Sequence, residues 1–299
     1  MKLLNFLIMI IDLIYSIYKK TKFGFSYTNK KINVLMKRDV KIFDSMFAHA
    51  KYSTDNQDSK YINWVRGQIN SDEIVFYTDN SMKSAPQQNV KKKIGWLLES
   101  PNVTKGAYEW IKTNYENFDV IFTHNKILLE LNEKFKFAPT GGCWIFPKDQ
   151  QIYTKIKEVS IIASSKDYLP GHKLRHEVIK KYPMDVLGRG YKVLENKLEG
   201  LKDYRFSFAI ENTKEDYYFT EKLIDCFMTG TVPIYWGCPS IGEFFNEKGM
   251  IMMENSDVDI NNLNEDTYNN MLPYIKENFE RAKEYIMSED YIWEKYFKK

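Results

Sequence analysis

The sequence predicts an α/β protein built as two doubly wound parallel-sheet domains facing a cleft. Three observations carry the prediction. Strand-like and helix-like segments alternate in two series, over residues 72–135 and again from about 158 to 253. A turn cluster containing Pro139, Gly141 and Gly142 falls between them. The second series contains a strand, loop, helix and strand, "RFSFAIE" through "TVPIYWG", of the size a parallel crossover requires. With 299 residues, 43% of them hydrophobic, the chain can bury cores for both.

Taken in order, the chain opens on "MKLLNFLIMIIDLIYSIYKK", whose apolar run from Leu3 to Tyr18 contains Asp12. That run falls short of the roughly 20 residues a bilayer span needs, and no small-residue cleavage site follows it. Asn5, Asp12 and Ser16 share one narrow stripe of a helix, with Lys19, Lys20 and Lys22 beyond its end. Residues 1–22 are therefore expected as an amphipathic helix attached to a membrane surface through residues 3–18, with a single span or a core helix as alternatives. The location expected is cytoplasmic or membrane-associated, or a Golgi membrane in a eukaryotic source.

Residues 23–150 are assigned to a first domain and 151–299 to a second. In the first, "DEIVFYTD" (72–79) and "KIGWLLES" (93–100) read as strands and "VTKGAYEWIKTNY" (103–115) as a helix. "FDVIFTH" (118–124) is the next strand, and "NKILLELNEKF" (125–135) a further helix. In the second, "VSIIASS" is a strand, 171–181 a helix, "MDVLG" a strand ending at Gly188, and "YRFSFAIE" (204–211) a strand. Thr220 then caps a helix that Gly230 stops, "TVPIYWG" and "KGMIMM" follow as strands, and 267–299 is helical.

Lys+Arg of 43 against Asp+Glu of 40 leaves a net charge of +3, which excludes nucleic-acid recognition by bulk charge. Basic residues must act by position. Cys143, Cys226 and Cys238 sit in apolar contexts without metal-ligand spacing and read as buried thiols rather than a disulfide framework.

The first turn of the Thr220 helix holds Glu221 and Lys222. An acid there complements the positive helix end, whereas a cation opposes it. Lys222 makes sense there if it reaches an anion, such as a diphosphate, that the free backbone N–H groups also hold. The alternative is a surface pair with Asp216 or Glu215. Arg175, early in the 171–181 helix, can approach the same point, and its forked guanidinium suits phosphate. His172, Lys173 and His176 crowd that turn, but no third ligand completes a metal site. Glu99 ends its strand beside Trp96 and Leu98, where partial desolvation would raise its pKa toward that of a general base; the alternative is a surface acid. Asp257 and Asp259 form an Asp-x-Asp pair, read as a solvated loop in preference to a metal–nucleotide site.

"FAIENTKEDYYFTEKLIDCFMTGTVPIYWGCPSIGEFF" resembles the donor-binding motif of the α-1,3/1,4-fucosyltransferases, glycosyltransferase family 10, and "ESPN" at 99–102 resembles their shorter acceptor-side motif. Weaker similarity extends over about residues 93–254. The resemblance implies a GT-B enzyme with two Rossmann-like domains, inverting, that transfers L-fucose from GDP-β-L-fucose to a glycan or oligosaccharide hydroxyl with no obligatory metal or other cofactor. It implies that Arg175 and Lys222 hold the diphosphate, that Asn212, Tyr218 and Glu221 line the nucleotide and ribose, and that Glu99 is the catalytic base. A related transferase with a different nucleotide-sugar, and a non-catalytic nucleotide-sugar or glycan binding protein, are the alternatives.

Overall fold

The computed structural model describes residues 37–298, so the amino-terminal helix expected over residues 1–22 lies outside it. No helix among the described residues is long and apolar enough to cross a membrane.

The first sheet comprises β1 (Arg38–Phe43), β2 (Ile62–Val65), β3 (Ile74–Thr78), β4 (Lys92–Trp96), β5 (Val120–Thr123) and β6 (Phe135–Phe137), in the order β2-β1-β3-β4-β5-β6. All its pairings are parallel. Successive side chains of a strand point to opposite faces, and both faces here are covered. Val75 and Tyr77 pack with Ile121 on one face, while Phe76 packs with Ile94, Trp96 and Phe122 on the other. Helices α1 (Lys105–Asn114) and α2 (Lys126–Leu131) connect the later strands.

Two expectations shift here. The strand expected over 93–100 leaves the ladder at Trp96, so Glu99 stands on the loop beyond it. The helix expected over 125–135 stops at Leu131, where Asn132 turns extended. Phe135 and Phe137 then flank the exposed Lys136 as alternating positions of β6.

The second sheet holds β7 (Lys157–Ile162), β8 (Asp185–Leu187), β9 (Tyr204–Ile210), β10 (Val232–Trp236) and β11 (Ile251–Met252), in the parallel order β11-β10-β9-β7-β8. Every residue of the central β9 is buried. Helix α3 (Pro170–Lys181) joins β7 to β8, and α4 (Glu221–Thr229) joins β9 to β10. Gly230, at φ 70°, ends α4 in the left-handed conformation that lacks a Cβ penalty only for glycine.

The chain closes with α5 (Glu265–Ala282) and α6 (Ser288–Ile292). Beyond α6 it lies against the first sheet: Phe297 stands 6.3 Å from Phe76 between ring centroids. Glu289 accepts from the backbone and hydroxyl of Ser53 at 2.7 and 2.6 Å. Both sheets belong to one compact unit.

Each sheet is thus doubly wound. The strand order reverses between β1 and β3 in the first and between β7 and β9 in the second. In such sheets the crevice opens beyond the carboxyl ends of the strands at the reversal.

Candidate active site

A cavity of about 610 Å³ occupies that place, lined from both halves. The first sheet supplies Leu98 and Glu99 beyond β4, and the second supplies the β7–α3 loop, Asn212 beyond β9 and the start of α4. Glu99, Arg175, Asn212, Tyr218, Glu221 and Lys222 all line this one cavity.

The wall from the second half is a helix N-terminus. Thr220 caps α4, its hydroxyl accepting from the Lys222 backbone at 3.4 Å. Leu223 N–H donates to the Thr220 carbonyl at 3.2 Å, which leaves the Glu221 N–H as the first-turn donor without an intrahelical acceptor at an end whose dipole attracts anions. Lys222 Nζ lies 3.0 Å from Thr220 Oγ1, 3.1 Å from Glu221 Oε1 and 3.6 Å from Glu211 Oε2. Its carboxylate partners are therefore Glu221 and Glu211, not the Asp216 or Glu215 of the surface alternative.

Arg175 is 6% exposed, and its position is set by β9. Its Nε donates to the Ile210 carbonyl at 3.1 Å, and its Nη2 donates to the same carbonyl and to Asn212 Oδ1 at 3.0 Å. Asn212 thereby helps fix the guanidinium. Tyr218 is 1% exposed, and its ring centroid is 5.1 Å from that of His124. His172 lines the cavity too, accepting from the Leu169 backbone at 3.3 Å. Burial and the charge of Arg175 push its pKa down to about 4, so it is neutral. No group of three or more His, Cys, Asp or Glu among the described residues is placed to hold a metal. Asp257 and Asp259 are exposed and not among the cavity residues; they pair with Lys181 and Asn262.

Glu99 faces this cation-rich wall. Its carboxylate has no side-chain hydrogen-bond partner among the described residues, only the adjacent Ser100 backbone, while its main chain is held on both sides. Burial raises its pKa, Glu221 adds to the rise, and Lys222 and Lys166 oppose it. A carboxylate with no side-chain partner and a raised pKa suits proton abstraction near neutral pH.

Three more acids and bases of the site escaped sequence reading. Glu211, fully buried at the end of β9, accepts from the Thr220 backbone at 2.8 Å and its hydroxyl at 2.6 Å. Lys197 lies 3.3 Å from Glu221 and 3.1 Å from Asp225, over the Trp144 ring at 4.1 Å. Burial opposes its charge, yet Glu221 and Asp225 outweigh this and push its pKa up to about 12. Burial likewise opposes ionisation of Glu221, but Lys222 and Lys197 hold its pKa well below the carboxylate range. Asp225 also accepts from the Trp144 backbone at 2.7 Å, tying α4 to the inter-sheet segment. Glu211 and Asp225 had a signal: each is a lone acid ending or interrupting an apolar run. Lys197 had none, since it lies in a polar loop.

Comparison with known proteins adds the family. Residues 152–299 match the family described as "Glycosyltransferase family 10 (fucosyltransferase) C-term". Alpha-(1,3)-fucosyltransferase FucT of Helicobacter pylori is 47% identical over 62 residues, which make up 21% of this chain and 13% of that protein. A putative fucosyltransferase-like protein of Arabidopsis thaliana is 49% identical over 49 residues, 16% of this chain and 10% of that protein. Among solved structures, a crystal structure of alpha1,3-fucosyltransferase superposes with a TM-score of 0.52 at 19% identity, covering 84% of each chain. Another, with GDP-fucose, gives 0.52 at 20% identity over 85% of this chain and 84% of that one. These superpositions show the shared GT-B fold.

Proposed function

Residues 152–299 belong to glycosyltransferase family 10, and from that premise we infer that the chain is an inverting fucosyltransferase using GDP-β-L-fucose. One observation carries the reading: a carboxylate with no side-chain partner, Glu99, lines the same cavity as Arg175, Lys222 and the N-terminus of α4. A cavity with a base on one wall and fixed positive charge on the other suits displacement of an anionic leaving group.

In the proposed reaction, Glu99 takes the proton of a glycan hydroxyl as its oxygen attacks the anomeric carbon. The new C–O bond forms on the face opposite the diphosphate. The bond from the anomeric carbon to the diphosphate oxygen breaks, and GDP departs with its electron pair. The product is an α-1,3 or α-1,4 fucoside. Lys222, Arg175 and the positive end of α4 stabilise the charge gathering on GDP. Asn212 and Tyr218 line the nucleotide, and Glu221, fixed between Lys222 and Lys197, accepts from ribose hydroxyls. Two cations and a helix end supply the positive charge, so turnover is expected to persist in EDTA.

The test is a donor screen. GDP release from GDP-fucose, accelerated by a glycan acceptor and exceeding release from UDP- or other GDP-sugars, supports the reading. Faster release from another sugar nucleotide replaces the donor. Tight GDP binding without turnover on a glycan panel replaces the enzyme with a binding protein.

A further inference from the structure

The loop that carries Glu99 is held by a buried group that no element of the proposed reaction uses. Asp79 follows β3 and is fully buried, at φ 42°. A non-glycine residue in the left-handed region is uncommon, and such strain persists where surrounding contacts impose it. The contacts here are explicit. The Asp79 carboxylate accepts from the Leu98 backbone at 3.2 Å, from the Glu99 backbone at 3.4 Å and from the Thr104 hydroxyl at 3.0 Å. On the other side of the same residue, the Tyr108 hydroxyl donates to the Glu99 carbonyl at 2.7 Å. Tyr108 is itself buried, on α1, and Thr104 immediately precedes that helix, its hydroxyl committed to Asp79.

The main chain of Glu99 is thus gripped at its N–H by Asp79 and at its C=O by Tyr108, while the residue lines the cavity with no side-chain partner. Two neighbouring strand ends, those of β3 and β4, and one helix converge to do this. We propose that Asp79 and Tyr108 are positioning residues that aim the Glu99 carboxylate at the acceptor hydroxyl. The assignment rests on Glu99 being the base. A carboxylate buried without a cation at hand is costly; burial pushes its pKa up to about 7, with its three donors opposing the rise. A neutral residue in its place would avoid that cost, so the acid is retained for what it accepts.

The test uses Asp79→Asn, since Asn tolerates the left-handed backbone but turns one acceptor into a donor. Tyr108→Phe removes the second grip and keeps the ring. Each variant should lower kcat, Asp79→Asn by about a hundredfold, with the KM for GDP-fucose and the GDP affinity unchanged. In a Glu99→Gln background, Asp79→Asn should add less than about a twofold loss, because it acts through Glu99. Amide exchange at Leu98 and Glu99 should rise about tenfold in Asp79→Asn, with other slow amides unaffected. Full kcat in both variants, or losses that multiply on the Glu99→Gln background, would overturn the assignment. If Glu99→Gln itself keeps wild-type turnover, the base reading falls instead. The amide exchange then decides whether the grip exists, and unchanged protection at Leu98 and Glu99 removes it.

Discussion

The carboxylate of Glu211 accepts both the backbone N–H and the hydroxyl of Thr220, at 2.8 and 2.6 Å, joining the end of β9 to the start of α4. This bond pair decides where the helix N-terminus points. Glu211→Gln keeps the volume but places an amide NH2 against a donor. Leaving a buried hydrogen-bonding group unsatisfied costs roughly 1–3 kcal/mol. Urea denaturation should show a loss of that size, together with weaker GDP binding. A Gln variant that matches the wild type in both would show that the orientation of α4 is set elsewhere.

Lys222→Ala should reduce kcat by about 10²–10³-fold, the usual effect of deleting one group that stabilises transition-state charge. Its side chain belongs to no hydrophobic cluster, but Glu211, whose side chain is 0% exposed, loses its only cation within 4 Å among the described residues, so the melt should stay cooperative at a lower midpoint. Undiminished transfer by the folded variant would remove Lys222 from the chemistry.

The pH dependence follows from Glu99. A base must be ionised, and burial raises this carboxyl above the ordinary ~4.3 of glutamate. The acid limb of kcat/KM should therefore lie above that value, with activity falling as pH drops through it. Lys222 is the strongest influence holding the Glu99 pKa down. Residual activity of Lys222→Ala should consequently show an acid limb displaced to still higher pH. A limb that does not move in the variant would place the titrating group elsewhere.

The parts of this protein that the sequence disclosed share one cause. In β3 and β5, burial on both faces writes short, nearly continuous apolar runs; β9 is wholly buried and apolar but for Arg205 and Ser207; and α4 carries a side-chain cap at Thr220 and a left-handed glycine stop at Gly230. Strands β1 and β2 escaped because they carry exposed or half-buried positions, with Arg38, Asp39 and Lys41 interrupting β1. The helix–strand break at Asn132 escaped because Leu131 to Phe137 keeps enough apolar residues to mimic a continuing helix. Motif reading brought six residues to one cavity, yet the groups that hold them in place lie elsewhere in the chain. Asp79 precedes Glu99 by 20 positions, and Lys197 precedes Glu221 by 24. No local pattern encodes such a pairing; it exists only once strand ends converge.

Gly171 tests how closely α3 must approach that convergence. A Cβ built there would stand 1.7 Å from the Glu211 carbonyl oxygen, and the Gly171 N–H donates to the Asn212 carbonyl at 3.0 Å. The obstacle is backbone, so it cannot rotate aside. Gly171→Ala must push α3, and Arg175 with it, away from β9. Overpacking of this kind costs typically ~1–3 kcal/mol. Thermal melts should register the loss, and GDP affinity should fall more than melting does, because the guanidinium leaves its position.

Lys197 offers the sharpest separation of stability from binding. Its ammonium is the only cation within 4 Å of Asp225 among the described residues, and the Asp225 side chain is 2% exposed. Lys197→Met keeps the stem over Trp144 but strands that carboxylate. Removing one partner of a buried pair costs about 3–5 kcal/mol, and since Lys197 is 20% exposed the lower end applies. The double variant Lys197→Met, Asp225→Asn should regain much of this, because Asn still accepts from the Trp144 backbone while carrying no charge. Donor binding should not recover with it. Glu221 would still have lost one of the two cations that fix its carboxylate, so its reach toward the ribose stays loosened. Urea midpoints that recover alongside a GDP affinity that stays low would establish the division. Equal recovery of both would mean that Lys197 serves the donor only through the stability of α4.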